Sequence, residues 1–322
     1  MRDGLIGDRY LGVDGGGTKT AFTLIDDAGK VIAQHLAGSS YYPQIGIDNL
    51  TTLIRDGIAA VCPNPAALAY AFFGLPAFGE ASRIDPLIAE LPRALLGHGR
   101  FSVGNDMVCG WAGSLGGSDG INIVSGTGSI AYGERRGINA RAGGWGEIFS
   151  DEGSAYWIAT QGLQLFSRMS DGRSPPGSLL HALRDHFSLQ ADLDLCGKVI
   201  ELAGNRDSIA ALSRIVASAA EAGDEAAAEI FRRAAQQLAQ IVQAVARQLA
   251  FEPNESIPVS WSGGVFRSGE LVVAPFKAML ERANCHYQFV EPIADPALGA
   301  ALYAKRRTTS SSLLDIQGGL EK

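Results

Sequence analysis

The sequence predicts an α/β protein of two domains, and three observations carry this. Apolar β-type runs alternate with helical runs along most of the chain, the pattern of strands and helices layered together. A strand, a Gly/Thr turn and a second strand over residues 10–26 recur over residues 121–133, which suggests a duplicated domain with a nucleotide held between the copies. The 322 residues suffice for two buried cores of ordinary size.

The elements follow in order. Residues 1–9 are polar and expected to fray. The apolar run 10–14 ends in Asp14, and Gly15, Gly16, Gly17, Thr18, Lys19 and Thr20 form a turn into a second run that closes on Asp26. Two β-type runs around small residues read as a hairpin. Residues 31–36 are a third strand, and 38–43 (Gly-Ser-Ser-Tyr-Tyr-Pro) a loop. Asp48 can cap a helix with Leu50, Leu53, Ile54, Ile58 and Val61 on one face, ended by Pro63 and Pro65. A buried strand over 69–75, a short helix over 80–91 and a strand over 101–103 lead to Gly104-Asn105-Asp106.

Residues 116–120 are a turn-rich linker before the second hairpin. A polar, Gly-rich loop over 143–155 leads into a helix over 156–169. Two Ala-rich helices, 209–222 and 226–251, are broken at Gly223-Asp224. Ile230, Ala234, Leu238, Ile241, Val245 and Leu249 form a core stripe on the second. A strand over 257–261 meets a third Gly turn, Ser262-Gly263-Gly264-Val265, and a helix spans 271–284. Asp295-Pro296 starts a last helix to about residue 306, and the Ser-rich tail from Thr308 is expected to be loose.

Composition narrows the function. Hydrophobic residues make up 46% and charged residues 19%, which is a folded rather than a disordered balance. A net charge of −7 gives no surface for nucleic acid or an anionic membrane. No apolar run is long enough to span a bilayer and no export signal is read, so a cytoplasmic protein is expected. Cys62, Cys109, Cys196 and Cys285 lie far apart, without C-x-x-C or zinc spacing, and the five histidines are scattered. Reduced thiols and no metal cluster are expected.

The first turn suits an anion. Its glycines let a ligand approach the backbone, successive N–H groups form a concavity for phosphate, and Thr18 adds a hydroxyl. Asp14 would repel phosphate unless a cation such as Mg²⁺ lies between them. The bland alternative is an ordinary Gly-rich hairpin. Neither G-x-x-x-x-G-K-[ST] nor a helix-opening G-x-G-x-x-G is present.

Taken together the motifs resemble the sugar-kinase, Hsp70 and actin superfamily, and within it the N-acetylglucosamine kinase branch of the BadF/BadG/BcrA/BcrD family. The matching pieces are V-D-G-G-G-T at 13–18, N-D at 105–106, S-G-T-G-S at 125–129, G-G-W-G at 143–146, D-E-G-S-A-Y-W-I-A at 151–159 and S-G-G-V-F-R-S at 262–268. The resemblance implies two ribonuclease-H-like, actin-like ATPase domains, 1–118 and 119–294, with a nucleotide cleft between them and the 295–307 helix returning to the first. It implies ATP and Mg²⁺ as cofactors. Asp14 would hold the metal through water. Gly15, Gly16, Gly17, Thr18 and Lys19, with Gly126, Thr127 and Gly128, would grip phosphate. Gly263, Gly264 and Ser268 would serve the adenosine side.

Asp106 matches the family's catalytic carboxylate. A sugar hydroxyl must lose its proton as it attacks the γ-phosphorus, and an Asp within reach can take it. The alternative is that Asp106 caps the helix that follows. Asp151 matches a sugar-hydroxyl acceptor, and Ser129, Gly144 and Trp145 fall on the sugar side. Their bland readings are a helix start for Asp151 and a core aromatic for Trp145.

Two departures touch the sugar. Relatives carry an Asn where this chain has Tyr41, and an amide donates and accepts at once where a phenol offers one group. Residues 74–78 also lack the small polar residues usual after that strand. The function implied is phosphorylation of the 6-hydroxyl of N-acetylglucosamine, with glucosamine or another hexosamine as the near alternative and a homodimer expected. An ATPase activator of a 2-hydroxyacyl-CoA dehydratase would need cluster-binding cysteines, which the isolated cysteines disfavour. A sugar-responsive repressor would need a DNA-binding segment ahead of the first hairpin.

Overall fold

Strand β1 (Arg9–Asp14) sits in the middle of a sheet because it is apolar on both faces: Tyr10, Leu11 and Val13 are all buried. The computed structural model describes residues 7–318, apart from 203, 253 and 284. The chain divides into two compact units, residues 1–118 with 291–322 and residues 119–290. The expectations for residues 1–6 and 319–322 lie outside the described residues.

In the first unit β1 pairs antiparallel with β2 (Thr20–Asp26), which pairs antiparallel with β3 (Val31–Ala37). On its other side β1 runs parallel to β4 (Tyr70–Leu75), and β4 to β5 (Phe101–Asn105). The order is β3-β2-β1-β4-β5. The helix Ile47–Val61 buries Leu50, Ile54, Ile58 and Val61, as its spacing predicts. The helix foreseen over 80–91 is instead Asp85–Leu96. Pro86 sits in the first turn, where its missing N–H costs nothing, Pro92 is carried inside the helix, and Gly97 at φ 74° closes the other end.

The final helix, Pro296–Gly318, packs on β1 and on the helix Met107–Leu115, both in the same unit. A Cβ at Gly12 would run into the backbone of Ala300 and Ala301. One at Gly299 would run into the backbone of Gly113 and the carbonyl of Cys109. Glycine is therefore required for backbone to rest on backbone. The helix also runs well past residue 306, so the loose tail expected from Thr308 is replaced by helix as far as Gly318.

The second unit repeats the plan. Strand β6 (Gly120–Ser125) pairs antiparallel with β7 (Ser129–Arg135), and β7 with β8 (Ile138–Gly143). On the other side β6 runs parallel to β9 (Ser256–Ser262), and β9 to β10 (His286–Phe289). The order β8-β7-β6-β9-β10 matches that of the first sheet, strand for strand and sense for sense. The helix Glu225–Gln248 lays Ile230, Ala234, Leu238 and Val245 into this unit's core.

Several elements differ from expectation. The run 209–222 is two short helices, Arg206–Ala211 and Ser213–Glu221, because the Leu212 amide donates to Ile209 O at 3.0 Å in a tight turn that breaks the longer helix. Two further helices, Ser178–Phe187 and Asp194–Leu202, fill the stretch between. The first has a remote cap: Asp224 accepts from Leu179 N at 3.0 Å while capping its own helix through Ala227 N at 3.1 Å. Strands β8 and β10 also escaped sequence reading.

The glycine contacts make a direct prediction for stability. Gly299→Ala forces a methyl between two backbones and should cost about 1–3 kcal/mol or more, the range for overpacking. Gly197→Ala, inside a helix with nothing near its Cβ, should instead add up to about 1 kcal/mol. Thermal melting of both variants checks this; equal effects would mean that the helix contact is slack.

Candidate active site

In the first unit, β1 ends at Asp14 and the chain turns through Gly15, Gly16 and Gly17. Gly15 N donates to Gly74 O at 2.8 Å, tying the turn to β4. A Cβ on Gly15 would meet Ser40 Oγ at 2.5 Å and Gly74 O at 2.8 Å, so only glycine fits. Gly17, Thr18 and Lys19 are exposed. Asp14 and residues 15–19 share a concavity of about 740 Å³ with Asp295, Pro296 and Ala297. Asp295 caps the final helix, accepting from Leu298 N at 2.8 Å. The sequence marks Asp295 only as a helix start; no local signal says that the fold returns it to Asp14.

Asp106 opens the helix Met107–Leu115, yet its carboxylate makes no capping hydrogen bond. Asn105 does that work: its Oδ1 accepts from Met107 N at 3.1 Å and its Nδ2 donates to Phe78 O at 3.0 Å. Asp106 stands at the N-cap position without a side-chain cap bond, and the amides of Asp106 and Met107 act only to favour its charged form. Burial raises the Asp106 pKa to about 6, with Glu80 adding to it. Burial, then Asp106, pushes Asp14 to about 7, and Asp295 contributes in the same direction. The charge on Asp106 therefore bears on the ionisation of Asp14.

Crowded carboxyls and oxygen-only donors suit a hard cation such as Mg²⁺. Among the described residues no three ligating side chains converge. A Mg²⁺ here would keep most of its waters, which is its usual habit beside one or two carboxylates and a phosphate. The residues present fit that ion.

Tyr41 follows Ser40, whose N–H donates to Gly16 O at 3.1 Å and so ties the loop to the turn. Tyr41 is 38% exposed.

In the second unit the turn after β6 is closed by Gly126 N donating to Gly128 O at 2.9 Å. Ala155 N, at the start of the helix Ala155–Ser170, donates to Gly126 O at 2.8 Å. Gly126 and Thr127 line a cavity of about 780 Å³ together with Gly264, Ser268 and Asp207. Gly263, at φ 104°, presses on the Ser125 carbonyl. Thr127 Oγ1 donates to Asp207 Oδ1 at 2.8 Å.

A second cluster adjoins this turn. A Cβ on Gly128 would meet Asp151 Oδ2 at 2.7 Å and also the Arg206 guanidinium. Ser129 Oγ donates to Glu152 O at 2.8 Å, holding the loop that carries Asp151. Asp151 is buried with φ 57°, and burial raises its pKa while Arg206 works against the rise. Asp151 does not begin the helix; Ser154 does, accepting from Trp157 N at 3.1 Å. Gly144, at φ 70°, has Ile130 against it. Trp145 is 68% exposed under the Arg141 guanidinium at 5.8 Å, so it is no core aromatic. Arg206 and Asp207 escaped sequence reading, because an Asn-Arg-Asp helix start carries no pattern that points to a turn so far back in the chain.

Residues 11–304 match the model of the BadF/BadG/BcrA/BcrD ATPase family. The chain belongs to this family. Membership implies use of ATP. The chain is 29% identical over 303 residues to an N-acetylmuramic acid/N-acetylglucosamine kinase of Clostridium acetobutylicum, covering 92% of this chain and 97% of that one. It is 29% identical over 310 residues, with the same coverage, to an N-acetyl-D-glucosamine kinase of Dictyostelium discoideum. The structure of a candidate N-acetylglucosamine kinase of Chromobacterium violaceum matches with a TM-score of 0.66 at 25% identity, over 93% of this chain and 99% of that one. A ROK family glucokinase of Streptomyces griseus shares the fold at a TM-score of 0.53 and 17% identity, over 92% and 99%. Among the described residues of this family member no helix is long and apolar enough to cross a membrane.

The raised carboxyls predict a pH-dependent stability. The folded chain binds more protons than the unfolded one between the ordinary value of 3.8 and about 7, so ionisation of Asp14 removes stability as pH rises through that window. Asp14→Asn removes the charge, so melting should rise by about 2–4 °C at pH 8 without added metal and change little at pH 4. An equal shift at both pH values would count against the electrostatic cause.

Proposed function

We propose that the chain is an ATP-dependent sugar kinase that phosphorylates the 6-hydroxyl of N-acetylglucosamine, with Asp106 as general base. The observation that carries this reading is the Asp106 carboxyl, free of any capping bond at the start of its helix and tuned to about 6. A base near that value is ionised at neutral pH and still accepts a proton readily. The named activities of the Clostridium and Dictyostelium relatives, matched over nearly their whole length, support the same chemistry.

The remaining roles follow from the chemistry of each group. The Gly15, Gly16, Gly17, Thr18 and Lys19 turn and the Gly126, Thr127 and Gly128 turn offer N–H and hydroxyl donors to ATP phosphates. Gly263, Gly264 and Ser268 take the adenosine side, in keeping with the cavity that the last two line in the second unit. Asp14 would hold Mg²⁺ through water, and that ion, when bound, neutralises charge on the transferring phosphoryl group. Asp151, Ser129, Gly144, Trp145 and Tyr41 hold the sugar. Asp106 takes the proton from the 6-hydroxyl as the oxygen attacks the γ-phosphorus. The reading takes the enzyme to be a cytoplasmic homodimer.

Tyr41 bears on which amino sugar is preferred. One phenol replaces an amide that both donates and accepts, so one bond to the N-acetyl sugar is rebuilt or lost. Glucosamine or another hexosamine is the alternative acceptor. Tyr41→Asn should lower the Michaelis constant for N-acetylglucosamine relative to glucosamine; unchanged constants on both sugars would remove Tyr41 from the site.

The test of the catalytic reading is steady-state phosphorylation of a hexose and hexosamine panel with ATP. Asp106→Asn should keep nucleotide binding and lose roughly 10²-fold or more in turnover, the usual scale for a positioned general base. Retention of more than half of the wild-type turnover would place the base elsewhere.

A further inference from the structure

Resting on that sugar-kinase reading, we propose that Arg206 is a positioning residue for the sugar: it pins one oxygen of Asp151 and leaves the other for a sugar hydroxyl. Asp151 is 2% exposed and stands at φ 57°, a conformation uncommon outside glycine. Its Oδ2 accepts from Arg206 Nη2 at 2.5 Å. Its Oδ1 is buried and has no hydrogen-bond partner. The amides of Ser129 and Gly146 lie near enough to favour the charged carboxylate without closing a bond on Oδ1.

A buried carboxylate oxygen without a donor is costly, and so is the backbone that presents it. Such groups are rare in native folds and mark places where a ligand completes the set. The missing partner is a neutral donor. Arg206 already serves as the cationic partner of Asp151 while it also holds Glu147, and a hydroxyl supplies the further O–H.

Arg206 is built to hold this arrangement. It is the first residue of the helix Arg206–Ala211, whose start is fixed by Asn205 Oδ1 accepting from Ser208 N at 3.0 Å. Its Nε reaches Glu147 Oε2 at 3.3 Å while Nη2 holds Asp151, so one planar fork bridges two carboxylates of the same Gly-rich loop. The next residue, Asp207, takes the Thr127 hydroxyl of the adjacent Gly turn. The first turn of this short helix therefore ties the Asp151 loop to the 126–128 turn. A lysine would carry the charge without the fork.

The experiment compares wild type, Arg206→Gln, Arg206→Lys, Asp151→Asn and the Gln/Asn double variant, with melting temperatures measured for each. Arg206→Gln should raise the sugar Michaelis constant by roughly tenfold, the scale of one lost charge-assisted contact, and move that for ATP by less than about twofold. Arg206→Lys should recover part of the loss. In the Asp151→Asn background, Arg206→Gln should add less than about twofold, because the carboxylate it positions is gone. Sugar and ATP constants rising together, or full multiplication of the two effects, would overturn the proposal and leave Arg206 a structural tie. A wild type that phosphorylates no sugar would sink the kinase reading and the proposal with it; an active wild type with an unaffected Arg206→Gln would sink the proposal alone.

Discussion

The first unit depends on three glycines that let backbone lie on backbone. Gly12 in β1 admits Ala300 and Ala301 of the final helix, and Gly113 and Gly299 bring that helix against Met107–Leu115. No side chain could fill these contacts, so their register is fixed to within a fraction of a residue. One consequence is chemical. Asp14 ends β1, Asp106 opens Met107–Leu115 and Asp295 caps the final helix, so the same packing that closes the core brings three carboxyls into electrostatic reach. Burial, then repulsion from Asp106 and Asp295, raises Asp14, while burial and Glu80 raise Asp106. Stability is given up at these carboxyls, the kind of trade that functional sites make.

The second unit repeats the strand order but uses its corresponding turn differently. Around the first turn the outer residues Thr18 and Lys19 are exposed. Around the second, Thr127 is held by Asp207, Ser125 Oγ donates to Gly153 O at 3.0 Å, and Asp151 lies against Gly128. The insertion between β8 and the helix Glu225–Gln248 supplies these partners. The two units thus share one strand frame, and the added helices give the second turn side-chain partners.

Much of this was legible in the sequence. Strands β1, β6 and β9 are short apolar runs that lead straight into glycine, β2 and β7 are the apolar runs after two of those turns, and each falls where the pattern places it. The helix Ile47–Val61 shows clean helical spacing and clear proline stops. Reading failed where the determining contact is remote. Helix Ser178–Phe187 takes its cap from Asp224, and the short edge strand His286–Phe289 is defined by its partner β9 more than by its own residues. At the site, Asp14 and the glycines announced themselves through spacing. Asp295, Arg206 and Asp207 did not, because each acts on a residue that only the fold brings near. For Asp106 the sequence offered a catalytic carboxylate with a helix cap as the alternative, and only the fold shows Asn105 bonding the Met107 amide instead.

The proposed reaction moves a phosphoryl group from ATP to one particular sugar oxygen. Phosphorus–proton correlation NMR of the product formed from N-acetylglucosamine and ATP tests it most directly, since the coupling identifies the esterified carbon. The expected product is a phosphate ester coupled to the two protons on carbon 6, with ADP formed in equal amount. A product phosphorylated at carbon 1, or ADP released with no phosphosugar, would contradict it.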